Sequence, residues 1–301
     1  MPRITNFIKY TLRELPYIIH ANSINARYLD IPAKKNRVNI FEYHPERFFV
    51  KNLYQNQPYN LGDSLGEVIV RFLLNQKGIS IDKPVSKTKH LFCVGTNIQG
   101  GYQSATIWGS GIRPPKNKKE AFLQMHCGRK LDIRAVRGPL TREIVLQYGH
   151  KCPEVYGDPA ILLPMVYNPV VPKLRERLVI PQFFNEMKFR EGHPNEHMIS
   201  MNTNDYKSII NEILASEIVY TSSLHGIILA EAYGVPAVFF RGLTEFWDFK
   251  YLDYYYSTGR NSIILSESFE EALDIAVPTL PNLSKLRTDL LNSFPYDLWE
   301  P

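Results

Sequence analysis

Hydrophobic positions along the chain switch between two periods, and the switching predicts a succession of strand and helix units. Runs rich in β-branched, aliphatic and aromatic residues at Arg37–Tyr43, Lys89–Gly95, Ala105–Trp108 and Ile133–Arg137 each predict a strand. Between them, Leu65, Val68, Ile69, Phe72 and Leu73 recur at helical spacing and predict a helix over Asp63–Gln76. A second helix is predicted over Pro139–Tyr148, with proline in its first turn and Gly149 behind it. A short strand at Glu154–Tyr156 then runs into Gly157-Asp158-Pro159. Strands alternating with helices imply parallel βαβ units.

Pro164, Pro169 and Pro172 interrupt this pattern, too close together for a helix or a central strand. Beyond them it resumes. Strands are predicted at Leu178–Ile180, His197–Met201, Glu217–Thr221 and Ala237–Phe240, and helices at about Asp205–Ala215 and Leu224–Tyr233. Ser268 and Glu271 form a capping box for a helix reaching Ala276, and Leu283, Leu286, Leu290, Leu291 and Phe294 mark a last amphipathic helix. The fold class expected is α/β, with two Rossmann-like, doubly wound domains. The expected bounds are an N-terminal helical extension at 1–36, one domain at 37–168 and a second at 169–301. Two such domains place a cleft between the carboxyl ends of their strands.

Composition narrows the function classes. An apolar fraction of 44% and a charged fraction of 22% are those of a globular protein, and no run approaches the roughly 20 apolar residues a membrane span requires. Cys93, Cys127 and Cys152 are odd in number and form no CxxC pair, which argues for reduced thiols in a cytoplasmic setting and against structural zinc. Ile4, Phe7, Ile8, Leu12 and Leu15, with Lys9 and Arg13 between them, predict a short basic amphipathic helix. Such a segment usually packs on its own domain; the alternative is peripheral contact of residues 1–15 with an anionic membrane face. The net charge of +5 is concentrated between Arg113 and Arg137. Pro114-Pro115 makes the Lys116–Lys119 run a solvated loop, and no aromatic signature for nucleic acid accompanies it.

Candidate chemistry falls in four places. Thr221-Ser222-Ser223-Leu224-His225-Gly226 joins a strand to a helix, so Ser222, Ser223 and His225 sit where free N–H groups and the helix dipole favour an anion. Gly226 would let a ligand approach closely. Asn60-Leu61-Gly62-Asp63-Ser64-Leu65-Gly66 opens a helix in the first domain; Asp63 there is either a cap or a group on the facing cleft wall. Arg134 and Arg137 end a strand, where they either clamp a phosphate or carboxylate or anchor the loop, Arg137 to Asp158. Asp158 itself is expected to cap its turn. Finally, Arg241, Lys250, Asp253 and Arg260 flank an aromatic run including Trp247 and Tyr254, a composition that suits either core packing or a sugar ring.

Five motifs in this order, NLGDSLG, WGSGI, RAVRGPLTR, YGDPA and SSLHGIILAEAYGVPA, resemble the polysaccharide pyruvyl transferase family, and most of all its members that form ketals on exopolysaccharides. The resemblance covers roughly residues 37 to 265. It implies a two-domain architecture similar to the GT-B glycosyltransferases, with the second domain binding phosphoenolpyruvate and a sugar as acceptor, lipid-linked or not, and with no cofactor. The family's motif histidine falls on His225, expected to transfer protons, with Asp63 as a base or acceptor-binding group. Relatives carrying an arginine two residues before that histidine place a phosphate-binding group there, but this chain has Ser223. Arg137, Arg241 and Arg260 are therefore expected to join Ser222, Ser223 and Gly226 at the donor, and Asn60, Gly62, Trp247, Asp253 and Tyr254 to face the acceptor. Two other readings remain open at this stage. One is a glycosyltransferase using a nucleotide sugar, whose ribose a glutamate in Ala230-Glu231-Ala232 would hold; the other is a non-catalytic member of a polysaccharide assembly complex.

Overall fold

A computed structural model describes residues 34–41, 60–99, 104–115, 130–182, 185–242, 248–261 and 264–300. The predicted N-terminal helix at 1–15, the Lys116–Lys119 run and Trp247 lie outside these. The chain forms a mixed α/β structure with two parallel sheets. The first holds β1 (Val38–Ile40), β2 (Lys89–Phe92), β3 (Ala105–Trp108) and β4 (Leu131–Ala135), side by side in chain order, and Val136 extends it by a parallel bridge to Tyr156. Helix α1 (Leu61–Asn75) connects β1 to β2, and α2 (Pro139–Gln147) follows β4. All four side chains of β3 are buried, as a parallel strand covered on both faces requires.

The second sheet holds β5 (Arg175–Ile180), β6 (Ser216–Thr221) and β7 (Ala237–Phe239), in that order. The segment predicted as a strand at His197–Met201 makes a single bridge, Met198 to Val179 of β5. It comes between β5 and β6 in sequence but lies beyond β5, so the winding reverses between β5 and β6. That reversal is the point where open α/β sheets form a crevice at the carboxyl ends of their strands. In the first sheet the described strands show no such reversal. Around the second sheet lie α3 (Glu186–Gly192), α4 (Tyr206–Leu214), α5 (Leu224–Ala232) and α7 (Phe269–Leu273), while α6 (Asp248–Ser257) reaches from β7 to α2 and α8 (Ser284–Ser293) packs against β4 of the first sheet. α3 and α6 were not legible as helices, and α7 ends three residues before the predicted Ala276.

The start of the proline-rich seam is also more ordered than its sequence suggested. Pro159–Met165 forms a 3-10 helix whose Ile161, Leu162 and Leu163 are buried. Proline at its first turn needs no N–H partner, which is why the residue type fits there. This helix packs against both α1 and α5, and one cluster of buried side chains runs through Leu65 and Ile69, Ile161 and Leu162, and Ile227 and Ile228. The C-terminal segment returns to the first sheet. Trp108 Nε1 donates to Leu290 O (3.0 Å), Trp299 Nε1 to Ile81 O (3.1 Å), and Lys89 Nζ to Leu298 O (2.8 Å).

One contact of the second half carries a pH dependence. His193, at the end of α3, stacks on Phe189 with ring centroids 4.3 Å apart, and its Nε2 lies 2.8 Å from Glu270 Oε1. The bond to Glu270 raises the His193 pKa above its ordinary 6.5, and the same bond lowers that of Glu270 below 4.5. A raised histidine stabilises fully below its unfolded pKa and loses that contribution as pH rises through the folded one. A lowered carboxylate loses its contribution as pH falls. His193→Ala should therefore lower the melting temperature more at about pH 6 than at about pH 8.5. An equal loss at both pH values would show that the stacking, and not the ion pair, is what matters.

Candidate functional site

The loops that follow the strands of the first sheet converge with the turn that follows β6. Gly62, in the first turn of α1, lies directly under the His225 imidazole. A Cβ on Gly62 would stand 1.8 Å from His225 Nδ1 and 2.3 Å from Cε1, so no other residue fits with the ring in this position. The NLGDSLG and SSLHG motifs, far apart in sequence, thus meet face to face. On its other side the imidazole approaches the fully buried Asp158, with Nε2 3.8 Å from Oδ2, and Nε2 makes no hydrogen bond.

Asp158 caps its own turn, as its sequence context predicted, by accepting from Ala160 N (3.0 Å); it also accepts from Gly95 N (3.4 Å). What the sequence did not disclose is that this cap stands beside His225. The expected pairing of Asp158 with Arg137 is replaced by one between Arg137 and Asp253.

Asp63 is also nearly buried. It accepts from Asn60 Nδ2 (2.8 Å) and from Asn97 Nδ2 (3.3 Å). Asn60 is the helix N-cap by position but makes no side-chain capping bond, its amide being turned to Asp63. The loop Gly95-Thr96-Asn97, after β2, therefore touches three groups at once: Asp63, Asp158 and, through Thr96, Arg137. Ser110 of the WGSGI motif braces this loop by accepting from Asn97 N and donating to Gly95 O, both at 3.1 Å.

Arg137 is fully buried and combines both roles considered for it. Its Nε donates to Asp253 Oδ2 (3.1 Å) and its Nη1 to Thr96 Oγ1 (2.8 Å), while Nη2 has no partner. The guanidinium lies flat on Gly111, where a Cβ would stand 2.3 Å from Cζ. Asp253 in turn accepts from Thr141 N (2.9 Å) and Thr141 Oγ1 (2.6 Å), which ties α6 to the start of α2. Lys250, also on α6, is half-buried. Burial, with the charge of Arg137 adding to it and that of Asp63 opposing it, pulls its ammonium down to about 8. A lysine with that value exchanges protons near neutral pH.

Ser223 is the N-cap of α5 but makes no side-chain capping bond, so among the described residues the first-turn N–H groups of α5 beside His225 have no side-chain acceptor. Ser222 is buried in the turn: its hydroxyl accepts from Gln182 N (2.7 Å) and its carbonyl accepts from Tyr251 (2.6 Å). Gly226 was expected to admit a ligand, but its space is taken by Thr221, whose Oγ1 would lie 2.3 Å from a Cβ there.

The remaining expectations place differently. Arg241 is held by Asp248 (2.9 Å) and Glu267 (2.8 Å). Arg260 forms a two-pronged pair with the buried Glu231, at 2.6 and 2.8 Å, and stacks 4.2 Å from the centre of the Tyr255 ring. Tyr254 and Asp253 are both fully buried, and Tyr254 donates to Glu231 (2.8 Å), so neither offers a face to a sugar. The structure thus unites Asn60, Gly62, Asp63, Arg137, Ser223 and His225, and commits Arg241 and Arg260 to carboxylates. It adds Asn97, Asp158 and Lys250. The turn after β2, Gly95-Thr96-Asn97, was a readable signal for the first of these. Lys250 was named among the charges flanking the aromatic run, but its sequence context did not mark it apart from Arg241, Asp253 and Arg260.

The family profile described as polysaccharide pyruvyl transferase matches residues 60–242, well over half of the chain. The chain belongs to that family. The match begins at Asn60 and ends at Gly242, so it takes in every loop of the site except α6 with Lys250 and Asp253. An uncharacterized protein of Acanthamoeba polyphaga mimivirus is 25% identical over 204 residues, 64% of this chain and 66% of that protein, slightly under two thirds of its length. A solved structure of a functionally uncharacterized protein from Klebsiella pneumoniae shares the fold with a TM-score of 0.50 at 13% identity, covering 85% of this chain and 98% of that one. The description of that family is of transferases that act on polysaccharide. Among the described residues no helix is long and apolar enough to cross a membrane.

Proposed function

We propose that this pyruvyl transferase takes its pyruvyl unit from phosphoenolpyruvate and sets it as a cyclic ketal on two hydroxyls of a sugar in a surface polysaccharide or exopolysaccharide. The observation that carries this reading is the seat of His225, on Gly62 and beside Asp158, within a ring of loops that also holds Arg137, Lys250 and the open first turn of α5. On this reading the chain is built of two Rossmann-like domains in a GT-B-like arrangement, divided near residue 168, with the reaction in the cleft between them.

The reaction balances as follows. The enol methylene of the donor gains a proton and becomes a methyl group, and the adjacent carbon becomes electrophilic. One sugar hydroxyl attacks that carbon, the bond to the phosphate oxygen breaks, and a second hydroxyl closes the ring. One hydroxyl proton replaces the proton given to the methylene; the other leaves with inorganic phosphate. His225 suits the proton transfers, since its Nε2 is free of internal hydrogen bonds while Gly62 fixes the plane of the ring. Arg137 Nη2, Lys250 and the N–H groups of α5 suit the carboxylate and phosphate of the donor. Asp63, hydrogen-bonded by two carboxamides, suits an acceptor hydroxyl.

The state of Glu231 favours this over a nucleotide-sugar donor. A glutamate that holds a ribose must have a free carboxylate, and here both oxygens are engaged by Arg260 and one of them by Tyr254 as well. Thermal shift separates the two. Phosphoenolpyruvate should raise the melting temperature by binding the folded state, and UDP or a nucleotide sugar should not. Stabilisation by the nucleotide alone would replace pyruvyl transfer with glycosyl transfer.

A further inference from the structure

Buried polar groups in folded chains find a partner inside the protein or one supplied from outside. Two of the unpartnered buried atoms, His225 Nε2 and Arg137 Nη2, belong to the site above. A third, Asn185 Nδ2, has no role there. Asn185 is 6% exposed, lies just beyond the carboxyl end of β5, and stands at the N-cap position of α3 without making a side-chain capping bond. Its carboxamide lies against Gly242, past the carboxyl end of β7. A Cβ on Gly242 would be 2.3 Å from Asn185 Nδ2 and 3.5 Å from Gln182 Oε1.

This corner adjoins the reaction site from two sides. Gln182 N donates to Ser222 Oγ, in the turn that leads to His225. Glu186, next to Asn185, accepts from Ser200 Oγ (2.6 Å), and the following Met201 O accepts from Leu61 N (2.9 Å), the residue before Gly62.

The charges of the corner decide what it can hold. Arg241, the neighbour of Gly242, is neutralised by Asp248 and Glu267. Glu186, the residue after Asn185, is a carboxylate whose pKa is raised by burial and which repels anions whenever ionised. Arg190, exposed on the same helix, is the cation that acts on Glu186; with Arg241 and Arg190 set against Asp248, Glu267 and Glu186 the corner carries no net positive charge, so it does not match a phosphate or carboxylate. A buried carboxamide donor with no internal partner matches a hydroxyl of a neutral ring. We infer that Asn185 belongs to a neutral-sugar subsite, in which its Nδ2 donates to a ring hydroxyl of the acceptor while the Arg137 side of the cleft holds the anionic donor. The inference rests on the reading of the site as one that modifies a sugar.

Methyl glycosides of galactose, glucose and N-acetylmannosamine, observed by saturation-transfer NMR, test it, with phosphoenolpyruvate affinity measured in parallel. At least one glycoside should bind the wild-type chain, and Asn185→Leu and Asn185→Asp should each weaken it about tenfold or more, the loss of one hydrogen bond to a buried donor. Phosphoenolpyruvate affinity should stay within about twofold in both variants. Asn185→Leu should also raise the melting temperature of the unliganded protein, because it removes a buried donor that nothing inside satisfies. Binding of no glycoside, or equal binding by wild type and both variants, would overturn the subsite. So would weaker phosphoenolpyruvate with glycoside binding intact, which would assign Asn185 to the donor. A wild-type chain that binds a glycoside through Asn185 but not phosphoenolpyruvate would leave the subsite standing and remove pyruvyl transfer.

Discussion

Arg137→Ala should lower folding stability by about 3–5 kcal/mol, the usual consequence of stripping one partner from a buried ion pair. The magnitude follows from what is left behind. Asp253 is as fully buried as Arg137, and its carboxylate would retain Thr141 but lose the only cation bonded to it among the described residues. The void over Gly111 adds to the loss. Chemical denaturation gives the number, and Arg137→Ala combined with Asp253→Ala supplies the control: removing both charges should recover part of the stability that the single change lost. Arg137→Lys distinguishes the second role. It keeps the charge near Asp253 but loses the forked geometry, so phosphoenolpyruvate affinity should fall even where the fold holds. If Arg137→Ala unfolded at the wild-type denaturant concentration, the buried pair would have no structural weight. If Arg137→Lys bound donor as wild type does, Nη2 would have no part in binding.

The same network explains what sequence alone revealed and what it did not. The strands of both sheets were legible because a covered parallel strand leaves a nearly unbroken apolar run, as in Ala105–Trp108 and Ile218–Tyr220. Helices α1 and α5 were legible from their apolar periodicity or their glycine and proline boundaries. Helix α6 was not: its tyrosines spread around the helix, and what fixes it is Asp253 reaching Arg137 from far along the chain. The 3-10 helix at Pro159–Met165 was hidden for a related reason. Its prolines read as a break, and only its burial between α1 and α5 makes it a central element.

The site was legible to the extent that its motifs sit at strand ends. Asp63, Arg137 and His225 could be picked out because each follows a strand or opens a helix. Their partners could not. Whether an arginine serves a ligand or a carboxylate depends on which side chain the fold brings to it. Arg260 and Arg137 look alike in sequence, yet one meets Glu231 with both prongs and the other keeps Nη2 free. Glycines carried more information than their local context suggested, since Gly62 and Gly111 are required by side chains from distant segments and not by their own turns.

Gly62 therefore provides the sharpest test of the reaction centre. His225→Ala should keep the fold and reduce turnover at least ~10²-fold, as expected for loss of a positioned proton-transfer group. That result alone would not separate chemistry from packing, because the ring also fills space. Gly62→Ala leaves His225 in the chain and moves it. The added methyl group would stand 1.8 Å from Nδ1, and the α1 backbone cannot retreat without disturbing Leu61 and Leu65, both fully buried. The imidazole is the part free to shift, since its Nε2 makes no hydrogen bond and Asp158 is 3.8 Å away. A displacement of about 1 Å in a reacting group is enough to cost about 10²-fold in rate. The expected outcome is an enzyme with near-normal melting temperature and turnover as low as that of His225→Ala. Full activity in Gly62→Ala would mean that the ring does not react from its seat on Gly62, and the proton transfers would then have to be assigned to Lys250 or Asp63.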